Sequence, residues 1–249
     1  MDRSDPGLSK VRELLFGVPM LSGPLPGFEP QQAPEEPFPL FLAWLAQAVA
    51  DGVSEPHAMT LATVDDAGCP DLRVVALRDA GPDGWSFATC ADSPKSRQLA
   101  ARPQAALGFH WREQGRQIRL RGPVVRAGAE VAAADFLSRL PGSRAATLVG
   151  RQSRPLADPA LLSRAFAEAH ARIAADPGLV DPGHALFMLR PTAVEFWQGD
   201  PARGHIRLRY RLDAPAAAVS DPTSDLASEL ASASASDPHP SWTRELLWP

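Results

Sequence analysis

Residues 57–90 read HAMTLATVDDAGCPDLRVVALRDAGPDGWSFATC, and this stretch decides the fold. Three apolar-rich runs, HAMTLATV (57–64), LRVVALRD (72–79) and WSFAT (85–89), are separated by Asp65-Asp66-Ala67-Gly68 and by Gly81-Pro82-Asp83-Gly84. Turn chemistry between short runs rich in β-branched and aromatic side chains predicts consecutive antiparallel strands. Further on, AALGFHW (105–111) and RQIRLRGPVVR (116–126) flank Glu113-Gln114-Gly115. Gln117, Arg119 and Arg121 alternate with Ile118 and Leu120, which puts polar groups on one face of that strand and apolar groups on the other. ALFMLRP (185–191), AVEFW (193–197) and RGHIRLRYRL (203–212) complete the set. Short strands at this spacing predict a meander that closes into a small barrel.

Helices flank the strands. Leu40, Phe41, Trp44, Leu45, Ala48 and Val49 form one stripe over 38–50, and Gly52 ends it. A short helix is expected from Ser96 to Ala101, and longer ones over 129–138 and 158–175, the last opened by Asp158 as N-cap and Pro159 at the first helical position. The fold class is therefore α+β, a mostly antiparallel barrel with flanking helices. The expected organisation is an extended Pro-rich arm (1–37), a barrel domain (38–213), an Ala/Ser/Asp/Pro loop expected to be disordered (214–240) and a C-terminal segment (241–249) that docks on the barrel. There is no βαβ alternation, no GxGxxG and no GxxxxGK[ST], which argues against Rossmann and P-loop nucleotide sites.

Composition narrows the function. The 249 residues carry 25 basic and 29 acidic side chains, and a net charge of −4 argues against a general nucleic-acid binder. Cys69 and Cys90 are too few for a disulfide scaffold, and the six His residues show no HxxxH or HExxH spacing, so no metal site is expected. No apolar run approaches the roughly 18 residues of a spanning helix, so no membrane association is expected. MDRSDPGLSK lacks the apolar core of a signal peptide, so a cytoplasmic location is expected.

Four stretches can carry chemistry. Arg73 and Arg78 bracket the apolar run Val74-Val75-Ala76-Leu77, where charge is costly unless paired; a structural ion pair is the plainer alternative. Thr89-Cys90-Ala91-Asp92-Ser93-Pro94-Lys95-Ser96-Arg97 ends a strand and opens a helix with hydroxyls, free amides and cations, a composition that holds phosphate; a solvated helix cap is the alternative. Lys95 stands out because Lys occurs only there and at Lys10. Arg151-Gln152-Ser153 is the third stretch. The fourth is Glu195-Phe196-Trp197-Gln198-Gly199 followed by Arg203, His205 and Arg207, expected to alternate on one strand face and hold an anion; a basic edge strand that resists aggregation is the alternative.

Taken in order, EPHAMTLATVDDAGCPDLRVVALR, FATCADSPKSRQLA, RQIRLRGPV, SRLPGS, GRQS, VEFWQG with R-x-H-x-RLRY, and the C-terminal WTRELLWP resemble the pyridoxamine/pyridoxine 5′-phosphate oxidase family. The resemblance runs from about Phe38 to Tyr210 and resumes at the C-terminus. It implies an FMN-binding split β-barrel homodimer with the flavin at the subunit interface. It also implies that Arg73, Val74, Val75, Ala76, Leu77 and Arg78 line the flavin with Ala88 and Thr89. Lys95 would hold its phosphate, Gln117, Gln152 and Ser153 would hydrogen-bond it, and Trp197 and Arg207 would enclose it. On the substrate side the resemblance implies Arg78, Asp135, Arg139 and Ser143 near a phosphate, with Arg203 and His205 as the catalytic pair over the reacting ring. The implied reaction is hydride transfer from the substrate C4′ to flavin N5, with O2 reoxidising the flavin and H2O2 released.

Several positions depart from the family pattern. Pro94 replaces an Arg of the phosphate loop, Arg78 replaces a Lys and Asp135 replaces a Tyr. A carboxylate beside a substrate phosphate is repulsive unless it turns away or pairs with a cation such as Arg139 or Arg144. Arg203-Gly204-His205-Ile206-Arg207 lacks the family's acidic residue, and GHALF stands where a Trp-Gly-Gly element is usual. The first implied function is therefore formation of pyridoxal 5′-phosphate. The second is oxidation of a specialised metabolite, as by the phenazine-pathway flavin oxidase of the same fold. The third is a flavin- or haem-binding protein without turnover, against which Arg203 and His205 argue.

Overall fold

A computed structural model describes residues 9–213 and 241–249. The disordered loop expected over 214–240 and the first eight residues of the arm lie outside the described residues. Strands β1 (Ala58–Val64), β2 (Pro70–Gly81), β3 (Gly84–Cys90), β4 (Gln104–Trp111), β5 (Arg116–Arg126), β6 (His184–Leu189), β7 (Ala193–Gln198), β8 (Ile206–Leu212) and β9 (Trp242–Leu246) pair antiparallel throughout, in the order β4-β1-β2-β3-β6-β5-β7-β8-β9. An additional β4–β5 pairing joins the first strand of that order to the sixth and closes a six-stranded barrel. Strands β7, β8 and β9 extend from it as a wing.

Each turn has a local cause. Between β1 and β2 the Asp65 carboxylate accepts from the Cys69 amide at 2.8 Å, and Gly68 adopts φ +84°. Strand β5 pairs with β4 over residues 116–123; on its other edge it pairs with β7 over 116–121 and then with β6 from Val124. Gly122 stands at that change of partner. A Cβ there would lie 2.0 Å from the Arg190 carbonyl oxygen, so the approach of the two backbones requires glycine.

The helices are α1 (Lys10–Leu15), α2 (Pro37–Ala50), α3 (Pro94–Ala101), α4 (Ala129–Ser138), α5 (Pro141–Val149) and α6 (Pro159–Ala175). Helix α2 plugs the barrel. Phe41 meets Trp85 and Phe109 with ring centroids 5.2 and 5.3 Å apart, and Trp44 meets Phe196 at 5.2 Å. The Arg116 guanidinium lies 4.2 Å from the Trp44 ring and donates to Gln47 and Gln198. Burial lowers its pKa to about 10, so it remains charged at neutral pH. No helix among the described residues is long and apolar enough to cross a membrane.

Three expectations change. The arm is not wholly extended, because Ser9 caps α1. Helix α5 was not foreseen; it opens on Pro141, and Pro at the first helical position needs no amide donor. The strand expected from Arg203 starts at Ile206, which leaves Arg203 and His205 in the β7–β8 turn, off the face that carries Arg207.

Candidate active site

Strand β2 alternates. Arg73, Val75 and Leu77 turn inward, and Val75 and Leu77 pack on the core. Leu72, Val74, Ala76 and Arg78 face outward, so the run is not the buried one its composition suggests: Leu72 and Val74 are 66% and 69% exposed in the single protomer. Along this strand lies a cleft of about 630 Å³ lined by Arg73, Val74, Val75, Ala76, Arg78, Ala88, Thr89, Lys95, Arg139, Gln152 and Ser153, together with Asp71, Thr147 and Phe166. Most of the phosphate and flavin residues inferred from sequence are thus in one place. Leu77 does not line it.

One end of the cleft is built for an anion. Ser93 caps α3, accepting from the Ser96 amide, and Pro94 occupies the first turn. Lys95 is buried, and its ammonium donates to Thr89 Oγ1 and Gln152 Oε1, each at 3.1 Å. Both partners are neutral. Burial, and then the nearby Arg73 charge, hold the Lys95 pKa below the usual lysine value. A buried ammonium facing only neutral oxygens is costly, and an incoming anion removes that cost. Arg73 is already engaged: it donates to Asp71 at 2.5 Å, to Thr63 at 2.5 Å and to Gln98 at 3.2 Å.

Gln152 reaches Lys95 because the chain after α5 turns through positive φ, +60° at Gly150, +58° at Arg151 and +65° at Ser153. An Arg154–Asp92 ion pair of 2.9 Å ties this loop to the one before α3. Spacing alone carries no sign of that backbone geometry.

Around Arg78 the arrangement differs from expectation. Asp135, on α4, pairs with neither Arg139 nor Arg144. It accepts from Arg78 Nε at 2.9 Å and meets His184 Nε2 at 2.8 Å. Arg144 instead donates to the carbonyls of Pro177 and Leu179 and lies over the Phe136 ring. Arg139 donates to Thr147 Oγ1 at 2.7 Å. Ser143 contributes its carbonyl to Thr147, and its side chain is not part of the cleft wall. His184, Thr147, Asp71 and Gln98 were not singled out from sequence; only the unusual GHALF run pointed near the first.

The remaining residues lie elsewhere. Trp197, Arg203 and His205 line a separate cavity of about 910 Å³ with His110, Glu113 and residues 18–22 of the arm. The His205 Nδ1 accepts from the Asp200 amide at 3.0 Å, and its ring centroid is 5.0 Å from that of Trp197. Arg203 sits at φ +71°. Gln117 faces a shallow groove on the outside of β1, β4 and β5. Arg207 and Arg119 share Glu195, at 2.9 and 2.5 Å. Burial raises the Glu195 pKa, but hydrogen bonds from Arg207 and Arg119 outweigh it and hold the carboxyl below its ordinary value. None of these cavities shares a wall residue with the Lys95 cleft.

Comparison with known proteins gives this geometry its place. A model described as pyridoxamine 5′-phosphate oxidase matches residues 45–173, and one described as the pyridoxine 5′-phosphate oxidase C-terminal dimerisation region matches residues 185–249. The chain belongs to the pyridoxamine 5′-phosphate oxidase family. Among its oxidase relatives, the pyridoxine/pyridoxamine 5′-phosphate oxidase of Hyphomonas neptunium is 44% identical over 177 residues, covering 71% of this chain and 81% of that protein. The protein of the same name from Polynucleobacter asymbioticus is 42% identical over 185 residues, covering 73% and 86%. The crystal structure of PhzG from Burkholderia lata in complex with tetrahydrophenazine-1-carboxylic acid is 27% identical, with a TM-score of 0.75 over 91% of this chain and all of that one. An FMN binding protein related to pyridoxamine 5′-phosphate oxidase, from Nostoc punctiforme, shares the fold at 17% identity and a TM-score of 0.63, covering 89% of this chain and 100% of that one. Membership in this oxidase family makes the protein an oxidoreductase, which removes the reading of a binder without turnover.

Proposed function

We propose that this protein is an FMN-dependent oxidase that converts pyridoxine or pyridoxamine 5′-phosphate to pyridoxal 5′-phosphate. The observation that carries the reading is the buried Lys95 ammonium, set between Thr89 and Gln152 with no anionic partner among the described residues, at the cationic end of a cleft large enough for a flavin. When bound, FMN supplies hydride acceptance and electron transfer to O2, with release of H2O2. The protein supplies the rest. Lys95 and the α3 amides hold the phosphate, and Arg73, braced by Asp71 and Gln98, holds positive potential beside it. Val74, Val75, Ala76 and Ala88 form a smooth wall along the ring, and Gln152 and Ser153 offer hydrogen bonds at its edge.

The reading also makes the site a shared one. Gln117, Trp197, Arg203, His205 and Arg207 belong to the same site but come from the second protomer of a homodimer. The exposed Leu72 and Val74 and the family dimerisation region support this. Trp197 and His205, already in ring contact, then cover the outer face, and Arg203 orients the substrate or takes up charge developing on it.

A second reading is oxidation of a reduced aromatic metabolite by the same architecture. The pairing of Asp135 with Arg78 favours it, because that pair weakens a phosphate clamp. Measuring peroxide release with pyridoxine 5′-phosphate, pyridoxamine 5′-phosphate and a dihydrophenazine separates the readings. Turnover of the vitamers supports the first, and turnover of the tricycle alone supports the second. A protein that cannot be loaded with FMN sinks both.

A further inference from the structure

Gln117, Trp197 and Arg207 are far apart in the chain, yet the sheet sets them side by side. Gln117 on β5 is in register with Trp197 on β7, and Trp197 with Arg207 on β8. On the other edge of β5, Gln117 is in register with His110 on β4. Directly opposed residues of antiparallel strands project to the same face of a sheet. His110, Gln117, Trp197 and Arg207 therefore form one row across four strands, about 14 Å long at the usual strand spacing. The row lies on the outer face. Phe109 and Trp111, on either side of His110, are buried in the core, as are Ile118 beside Gln117 and Phe196 beside Trp197.

His110 also joins two hollows. It lines the cavity of about 910 Å³ that holds Trp197, Arg203 and His205, and it lines the groove of about 290 Å³ that holds Gln117. Among the described residues it alone lines both. The outward positions before it on β4 are Ala106 and Gly108, which carry no polar side chain, and a Cβ built at Gly108 would meet nothing within 4 Å. The imidazole thus stands at the end of an open groove. It is exposed in the protomer, and its ring makes no hydrogen bond, ion pair or ring contact among the described residues.

Three members of the row belong to the flavin site under the reading above, and His110 is the fourth. We propose that His110 is a further cofactor-contacting residue of the shared site, with a ring nitrogen that hydrogen-bonds the polar edge of the flavin ring system. The chemistry of the row fits an extended, planar, one-edge-polar ligand: Trp197 offers an apolar face, Arg207 a cation, and Gln117 and His110 hydrogen-bonding groups. The pyrimidine edge of a flavin alternates carbonyl oxygens with ring nitrogens, so it presents acceptors and a donor. An imidazole carries one of each in either tautomer, so the match holds whichever nitrogen bears the proton. The inference rests on the reading that FMN occupies a site shared between protomers. It deepens that reading by adding a residue that neither the family resemblance nor the Lys95 cleft supplies.

The test is titration of the full-length protein, freed of flavin, with FMN and separately with riboflavin, which has the same ring and no phosphate. Flavin fluorescence gives the affinity and the visible bands report the surroundings of the ring. His110→Ala is expected to weaken both ligands by the same factor, about 3- to 10-fold, the worth of one neutral hydrogen bond, and to move the bands of the bound flavin. His110→Gln keeps a donor and an acceptor and is expected to recover most of the affinity, which a merely structural loss would not. Lys95→Ala is expected to weaken FMN alone. Sedimentation velocity shows whether each variant remains a dimer. Unchanged affinity and bands in His110→Ala overturn the proposal. So does a loss confined to FMN, which puts the residue at the phosphate. A loss that follows dissociation of the dimer, without recovery in His110→Gln, makes His110 a contact between protomers and also overturns it. In each of these cases the wild type still binds FMN and the oxidase reading stands. If the wild type takes up neither flavin, that reading fails and this inference falls with it.

Discussion

Lys95 Nζ and Gln152 Oε1 lie 3.1 Å apart although 57 residues separate them in the chain. The contact joins the start of α3 to the positive-φ loop after α5, and it fixes the ammonium before any ligand arrives. Lys95→Ala should weaken FMN binding by about 10- to 100-fold, the worth of one charge-assisted contact. Thermal stability of the flavin-free variant should be unchanged or higher, because a buried cation with neutral partners has been removed. Equilibrium dialysis with FMN and a melting curve of the apoprotein check both halves. Unchanged FMN affinity would move the phosphate elsewhere.

Arg203 occupies a turn held by the Asp200 carbonyl, which accepts from the Arg203 amide at 2.9 Å, and its side chain has no ion-pair partner among the described residues. It is free to meet a substrate. Arg203→Ala should slow anaerobic flavin reduction by about 100-fold, typical of losing one group that stabilises developing charge, while FMN remains bound. Stopped-flow bleaching of the flavin measures the rate, and the visible spectrum reports retention of the cofactor. Loss of FMN instead would make Arg203 a cofactor ligand.

Much of this was legible beforehand, for a physical reason. The β2 and β5 strands follow a period of two, and Asp158-Pro159 is a local helix-start signal, so patterns within a few residues suffice. The Thr89–Arg97 loop with Lys95 was legible as a phosphate holder from its own residues, but its partnership with Gln152 only through family resemblance. Their meeting depends on positive φ at Gly150, Arg151 and Ser153, and two of those three are residues that rarely adopt it. The Asp135 pairing was missed because Arg78, Asp135 and His184 come from a strand, a helix and another strand, and the choice among Arg78, Arg139 and Arg144 is made by tertiary packing. Arg203 and His205 were misplaced because the alternating Arg pattern begins before the strand does.

Glu195 bonds Arg119 and Arg207 at once and is 8% exposed, so Glu195→Gln leaves two guanidiniums without their shared counter-charge. A loss of about 1–3 kcal/mol of stability is expected. Its pH dependence has a definite sign. The folded carboxyl lies below its ordinary value, so its contribution is full above the unfolded value of about 4.3 and is lost as pH falls through the lower folded one. Urea unfolding of both proteins should therefore show a constant gap from about pH 6 to 5 that narrows in stronger acid. A gap that widens in acid would contradict the assignment.

Gly122 permits the approach of the Arg190 carbonyl where β5 changes partner. Gly122→Ala forces a methyl group against backbone that cannot rotate away, so a loss of about 1–3 kcal/mol is expected. Because this contact holds the β5–β6 seam, far-UV circular dichroism should keep its strand signal while the unfolding midpoint falls. A neutral substitution would show that the seam is looser than the geometry implies.

The separation of Lys95 from Trp197 into cavities with no common wall allows the composite site to be tested directly. If each site takes Lys95 from one protomer and Trp197 from the other, two-fold symmetry has a consequence for mixed dimers. A dimer of one Lys95→Ala chain and one Trp197→Ala chain places both defects in one site and leaves the other site intact. Two differently tagged chains, coexpressed and purified over both tags, give that mixed dimer cleanly. It should bind about one FMN per dimer with wild-type affinity, while each parental variant binds both equivalents weakly. If instead Lys95 and Trp197 of the same chain served one site, every site in the mixed dimer would carry a defect. No tight equivalent would then appear, and the shared-site reading would be lost even if the protein proved to be an oxidase.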